Sequence, residues 1–437
     1  MGEKVELFRA SFNRSVIVEA REANQSSDGG LLLIREVLER AGLDDFLTNR
    51  LHDPRDPNRI THGLAEQLRT VIGLLAQGWG DLDDVEGQAP DPLLALTSSS
   101  NRGLTALDQT LPSQPTLSRL LGNLAEEPNR SVLHEAVLRL AGNRLRAANG
   151  GHRHRYMTLD FDGLSIPVAG HQAGSAYNGY LGGRVYYPLV ASIAETGDQI
   201  DARLREGNAH PAAEAPTWIP DVVDQARQHL CQVGLARIDA GFADDTTLSA
   251  LEDRGVPYVA RLPGNKALDR KAEPYLKRPV GRPTKEPREW PIEERYQAGS
   301  WASDRRVILV VQERPDDLFF DTFWLVTSLE PGPYPAEEVL RLYRRRGKAE
   351  AHMGELKDVL EPRLSSTSRG TATEDEVFAR NEAWLLLHLL AYEAMHALRV
   401  PLEETSGQGF SLKRLREQVL KTATRLLVHA RQIRVVM

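Results

Sequence analysis

Tyr343, Arg346, Glu350 and Lys357 are spaced as Tyr-x2-Arg-x3-Glu-x6-Lys within Tyr343-Arg-Arg-Arg-Gly-Lys-Ala-Glu-Ala-His-Met-Gly-Glu-Leu-Lys357. On a helix turning about 100° per residue, Arg346, Glu350 and Lys357 project near 300°, 340° and 320° from Tyr343. The four side chains therefore share one stripe over about four turns. A carboxylate between two bases can hold a metal while the bases hold phosphates. An ion-paired, solvated helix face has the same composition and is the commoner outcome for a charge run. Glu355 projects about 140° away from Glu350 and faces elsewhere.

Further acids lie on predicted strands. Met157, Leu159 and Phe161 alternate with Thr158, Asp160 and Asp162, so both aspartates fall on one strand face and periodicity does not separate them. Asp239 ends a short apolar strand, and carboxylates at the carboxyl ends of strands suit the ligand crevice of α/β sheets. Asp244 and Asp245 sit where a helix N-cap is expected.

The elements that must position these residues change character along the chain. Residues 1–150 read as helical, with Thr61 placed to cap a helix through Leu64, Leu68, Val71, Ile72 and Leu75, and Gly78 to end it. After an acidic link at 81–92, a capping serine leads into a helix whose polar side carries Gln114, Thr116, Ser118 and Arg119. Such residues suit groove or phosphate contacts, and equally an ordinary surface helix. From about 155 the period becomes two. Strands at 156–162, 184–193 and 199–205 are followed by a helix near 217–232, the strand ending at Asp239, a helix near 244–254 and a strand from Val256. That order is the order of a ribonuclease-H-like sheet, a mixed α/β architecture with helices on both faces. Residues 264–300, rich in Lys, Arg and Pro, predict a loop. Strands at 305–312 and 321–328 make the region a β-rich insertion before one long helix from near Pro335. Residues 375–437 read as helical.

Bulk composition sets outer bounds. The 437 residues carry 54 basic and 61 acidic side chains, a net charge of −7, with 41% hydrophobic residues and one cysteine. This is globular composition, with chain enough for a large core. No stretch reaches the roughly 18 apolar residues of a membrane span. The apolar run at 384–390, interrupted by His388, reads as an amphipathic helix. Met1 is not followed by the apolar core of a secretory signal. A single cysteine forms no internal disulfide, which points to a reducing cytoplasm, and Cys231 lies in an amphipathic run that reads as core. His152 and His154 lack partners at zinc spacing. The acidic total is an average over segregated parts: residues 411–437 hold seven Lys or Arg against the single acid Glu417.

The Tyr343–Arg346–Glu350–Lys357 spacing resembles the signature of bacterial insertion-sequence transposases with a DDE active site. The stretch Asp162-Gly-Leu-Ser-Ile-Pro-Val-Ala-Gly-His-Gln-Ala-Gly-Ser-Ala-Tyr-Asn-Gly-Tyr is similar to the first-aspartate block of their DDE group 1 branch, the thirteen-eighty family. Arg237-Ile-Asp-Ala-Gly-Phe-Ala is similar to the second-aspartate block. The likeness covers roughly residues 30–435. It implies that Asp162, Asp239 and Glu350 are catalytic and hold two divalent ions, about 3.5–4 Å apart in two-metal sites. Carboxylate ligands suit Mg²⁺, with Mn²⁺ a substitute. The resemblance favours Asp162 because the family aspartate precedes a small residue, and Asp160 stands as the alternative. Many relatives carry threonine two places later, where this chain has Leu164 and then Ser165.

By the same resemblance, Tyr343, Arg346 and Lys357 contact DNA phosphate or sugar, and Trp324 resembles a strand tryptophan that stacks on an extruded base. A core-facing aromatic is the other reading of Trp324. Val280-Gly-Arg-Pro is similar to a minor-groove arginine element, or is a solvated basic loop. The implied organisation is a helical N-terminal DNA-binding region (1–150), the first part of the catalytic domain (151–263), a basic loop and β insertion (264–334), the glutamate helix (335–370) and a C-terminal helical region (371–437). The implied partners are terminal inverted repeats, target DNA and a second copy in a synaptic homodimer, with no membrane. Two rival readings remain: an inactive or truncated transposase-derived DNA-binding regulator, and an unrelated hydrolase using Asp160 and Asp162 as an acid–base pair. The last leaves the Tyr–Arg–Glu–Lys stripe unexplained.

Overall fold

Helical spacing in the first third of the chain produces α1 (Leu31–Arg40), α2 (Leu43–Arg50), α3 (Leu64–Gln77), α4 (Gln114–Leu124) and α5 (Glu127–Ala148) in a computed structural model of the protein. The structure describes all residues except 1–7, 10, 13–14, 16, 19–23, 149, 151, 153–154, 180, 211, 278–284, 316, 318 and 367–371. The 280–283 element and His154 therefore lie outside the described residues. Gly78, at φ 95°, ends α3 as expected, but the helix starts at Gly63 rather than at a Thr61 cap. There the Glu66 carboxylate accepts the Gly63 N–H at 3.2 Å, doing locally what a capping side chain would do.

The alternating run at 156–163 becomes β1 (Tyr156–Gly163), which buries Met157, Leu159 and Phe161 in one core and turns Asp160 and Asp162 to the opposite face. It is followed by β2 (Leu189–Ile193), β3 (Gln199–Arg203), α6 (Ala215–His229), β4 (Gln232–Ile238), α7 (Asp245–Asp253) and β5 (Tyr258–Leu262). Asp244 caps α7, accepting the N–H groups of Thr246 and Thr247 at 3.0 and 3.1 Å. β1, β2 and β3 form an antiparallel meander, while β4 is parallel to both β1 and β5.

The expectation of a loop over 264–300 is corrected. Lys266–Ala272 is a short helix, and β6 (Arg288–Tyr296) pairs with β7 (Arg305–Glu313), which pairs with β8 (Asp321–Thr327). β8 then pairs antiparallel with β5, so the sheet runs β6-β7-β8-β5-β4-β1-β2-β3. The extra strands cover an edge that β5 would otherwise leave with unpaired backbone groups. They extend the sheet instead of standing apart from it. α6 and α7 pack on one face, with Trp218, Ile219, Leu248 and Leu251 in its core. On the other face Val339 and Leu340 meet Val259, Ile308 and Leu325.

The long helix expected from Pro335 is two helices, α8 (Ala336–Arg344) and α9 (Gly347–Leu360). After a Thr373–Glu376 capping box, α10 (Glu374–Ser406) runs through the molecule. Ala383, Trp384, Leu385, Leu386, Leu387, His388, Leu389 and Leu390 are all buried, so this stretch is a central helix and not the amphipathic one expected. An apolar surface all round a helix demands partners all round it. Those partners come from α1, α3 and α5 in one shared core.

Residues 424–436 are also corrected from helix to hairpin. Thr424–His429 and Gln432–Val436 pair antiparallel across Ala430 and Arg431, both at positive φ, and Gln25–Ser26 adds a third strand. In the sequence, the period-two pattern of Thr424 and Leu426 is masked by the basic residues nearby, Lys421 and Arg425. Cys231 is buried in the core, as expected. Among the described residues, no helix is long and apolar enough to cross a membrane.

Candidate active site at the carboxyl ends of the central strands

Two aspartates on one face of β1 meet different surroundings. Asp160 is 0% exposed, and Arg237 of β4 grips it with Nε and Nη2, both at 2.5 Å. Burial raises the Asp160 carboxyl, and the Arg237 guanidinium opposes that shift. The third arm of Arg237, Nη1, donates to the Leu342 carbonyl at 3.1 Å. In an unbroken helix that carbonyl would accept the N–H of Arg346. The Arg346 N–H instead bonds to Tyr343 O at 3.0 Å. This exchange marks the break between α8 and α9. The hydrolase reading is thereby corrected, because an acid locked into a buried bidentate pair is not available as a general acid or base.

Asp162, at the end of β1, lies against Arg346 Nη2. Arg346 Nη1 donates to Glu350 Oε1 at 3.2 Å and lies 3.9 Å from Asp239 Oδ1, just past β4. One nearly buried guanidinium thus meets all three acids expected from the sequence. The Asp162 side chain is 18% exposed, Asp239 40% and Glu350 62%, so the cluster opens from a buried floor to a solvent-facing rim. Burial pushes the Asp162 carboxyl up to about 6, with Asp239 and Glu350 adding to the rise and Arg346 opposing it.

Gly163 follows Asp162 because the Tyr187 ring lies over it. A Cβ at Gly163 would stand 2.4 Å from Tyr187 Cε1. That close approach gives a physical reason for a small residue after the aspartate. Burial, followed by the Asp162 and Asp239 carboxylates, raises the Tyr187 phenol.

The remaining expected residues divide. Lys357 Nζ donates to Ser165 Oγ at 3.3 Å, which docks α9 beside the end of β1. The Tyr343 ring is 6.5 Å from Phe323, and burial first, then nearby Asp239 and Glu350, raise its phenol. Trp324 is corrected as a DNA contact: it is 3% exposed and packs in the core, leaving no face on which a base could stack. Its strand neighbour Phe323 points to the Tyr343 side instead. Arg119 is exposed on α4, where it lines a cavity of about 230 Å³ with Arg55, Thr116 and Asn123, outside the acid cluster. Glu355 faces away, binding Arg399 at 2.5 Å and the Leu412 N–H at 3.0 Å.

Among the described residues no three carboxylate, imidazole or thiol groups are gathered closely enough to hold a metal ion as they stand. Arg346 lies between the acids. The donor chemistry nonetheless fits a hard divalent cation, because three carboxylates face a single guanidinium. Sequence reasoning missed Arg237 and Tyr187. A lone arginine inside the apolar run Val233 to Ile238 was the signal for a buried partner. Tyr187 carried no comparable signal.

Among curated proteins, none matches the sequence. Among solved structures, the chain is similar to a piggyBac transposase in a cryo-EM synaptic complex with hairpin DNA, at 11% identity and a TM-score of 0.45, over 89% of this chain and 79% of that one. The family described as transposase DDE domain, group 1, matches residues 8–437, and the chain belongs to that family.

Proposed function

We propose that the protein is an insertion-sequence transposase that cuts DNA strands at the ends of its element and transfers the 3′-hydroxyl ends into target DNA, from a ribonuclease-H-like core. The observation that carries the proposal is the convergence of Asp162, Asp239 and Glu350, from two strand ends and a helix, on Arg346. The antiparallel meander of β1–β3 flanked by parallel β4 and β5 supports the core assignment.

Asp162, Asp239 and Glu350 would hold two divalent cations, Mg²⁺ or Mn²⁺. A metal there would supply Lewis-acid stabilisation of phosphoryl oxygens and activation of the attacking hydroxyl. Tyr343, Arg346 and Lys357 would orient the DNA backbone at the cleaved end, Arg346 and Lys357 through charge-assisted bonds to phosphate. Arg237 would act through position, holding the helix break that aims Arg346 and Glu350. Bringing two element ends together calls for a homodimer, and the helical N-terminal region would bind terminal repeats.

Asp239→Ala and Glu350→Ala test the proposal cleanly because both side chains face solvent, so neither substitution disturbs the core. Each should lower Mg²⁺-dependent cleavage of end-bearing DNA by about three orders of magnitude or more, since roughly 1.4 kcal/mol is tenfold and metal assistance is worth several kcal/mol. End binding in a gel-shift assay should persist. Undiminished cleavage by either purified variant overturns the proposal.

A further inference from the structure

We infer that Arg346 is the resident counter-ion of the acid cluster, exchanged for a divalent cation when a DNA phosphate draws its guanidinium away, so that metal loading follows DNA docking. The inference rests on the metal-site reading above and adds its regulation.

The guanidinium sits among Asp162, Asp239 and Glu350, in the space between the carboxylates. A cation bound by the same oxygens competes with it directly. Two positive charges so close together repel, and the repulsion is least screened where Asp162 lies buried. Arg346 is also poorly satisfied where it stands. Its Nε and Nη2 atoms are buried without a hydrogen-bond partner in good geometry, although Nη2 lies against Asp162. A buried donor left unmade disfavours the arrangement that contains it. A phosphate oxygen offers the planar fork the paired acceptors that the three separated carboxylates do not.

The mooring of Arg346 permits the exchange. It lies at the break between α8 and α9, where its N–H bonds back to Tyr343 O and the Arg237 contact takes up the Leu342 carbonyl. Reorienting the side chain breaks one hydrogen bond, from Nη1 to Glu350, and the ion contacts to Asp162 and Asp239. Linkage then demands reciprocity: DNA that raises metal affinity must have its own affinity raised by metal by the same factor.

The test is calorimetric titration of Mn²⁺ into the full chain, with and without a non-cleavable duplex carrying the element end. For the native protein, DNA should tighten Mn²⁺ binding by about tenfold or more, within the usual range of coupling between two ligands. Arg346→Ala should bind Mn²⁺ without DNA at least as tightly as the native protein binds it with DNA, and DNA should add little. Arg346→Lys, which keeps the charge but not the fork, should fall between them, and its far-ultraviolet circular dichroism guards against loss of fold. Equal DNA-free Mn²⁺ affinity in native protein and both variants overturns the inference alone. Unchanged Mn²⁺ binding by Glu350→Gln and Asp239→Asn overturns the metal-site reading with it.

Discussion

The Asp160–Arg237 and Asp162–Arg346 pairs stand two residues apart on one strand face, with the same residue types, and do opposite things. In the first, every close contact has hydrogen-bond geometry, both partners are buried, and the spare arm of the arginine closes a helix end. In the second, the arginine is shared among three acids, its Nε has no hydrogen-bond partner, and the far acids face solvent. A satisfied buried pair holds structure together, whereas an over-subscribed guanidinium among carboxylates holds charge in reserve for a ligand. What separates them is depth: Asp160 lies inside the sheet, and Asp162 lies at its lip.

The largest expected effect breaks the structural pair. Arg237→Met leaves the Asp160 carboxylate buried and unpaired and should cost about 3–5 kcal/mol in urea denaturation. Arg346→Met should cost about 1 kcal/mol or less, because two of its three acids are solvent-facing. Equal losses would erase the distinction.

Next in size is a pH effect. Burial raises the Asp162 carboxyl to about 6 in the metal-free fold, from an ordinary 3.8. Between those values the folded protein holds a proton that the unfolded chain has released, so this group's contribution to stability is full below about pH 4 and is lost as pH rises through about 6. The loss is on the order of 3 kcal/mol, from about two units at roughly 1.4 kcal/mol each. Asp162→Asn should flatten that part of the stability–pH curve measured without metal. A slope left unchanged by the substitution would show that Asp162 does not carry this pH dependence.

A further effect concerns the residue just past the lip. Gly163→Ala should cost about 1–3 kcal/mol by driving a methyl group into the Tyr187 ring. Tyr187→Ala in the same chain should recover most of it in thermal unfolding. No recovery would mean that backbone conformation, not the ring, selects glycine here.

Much of this was legible in the residues. Period-two alternation located β1, apolar runs located β4 and β5, and Asp244 announced its cap. The resemblance marked Asp162, Asp239 and Glu350, the acids that meet at Arg346. Trp324 was misplaced because an aromatic in a strand signals burial and base stacking equally. The 424–436 hairpin was hidden because its exposed residues mix Arg425 and Arg434 with Leu427, Val428 and Val436, which blurs the period of two. The broken helix was hidden because the group that takes the Leu342 carbonyl is 105 residues away.

The sequence by itself determined the faces of the strands that carry the acids and the order of the elements from β1 to β5. Those follow from short-range spacing, since a period of two or 3.6 is a local property of the backbone. Only the tertiary structure decided which aspartate is walled in and where the glutamate helix turns. Periodicity assigns a face but not its depth or partners, and the arginine that closes on Asp160 lies 77 residues further along the chain.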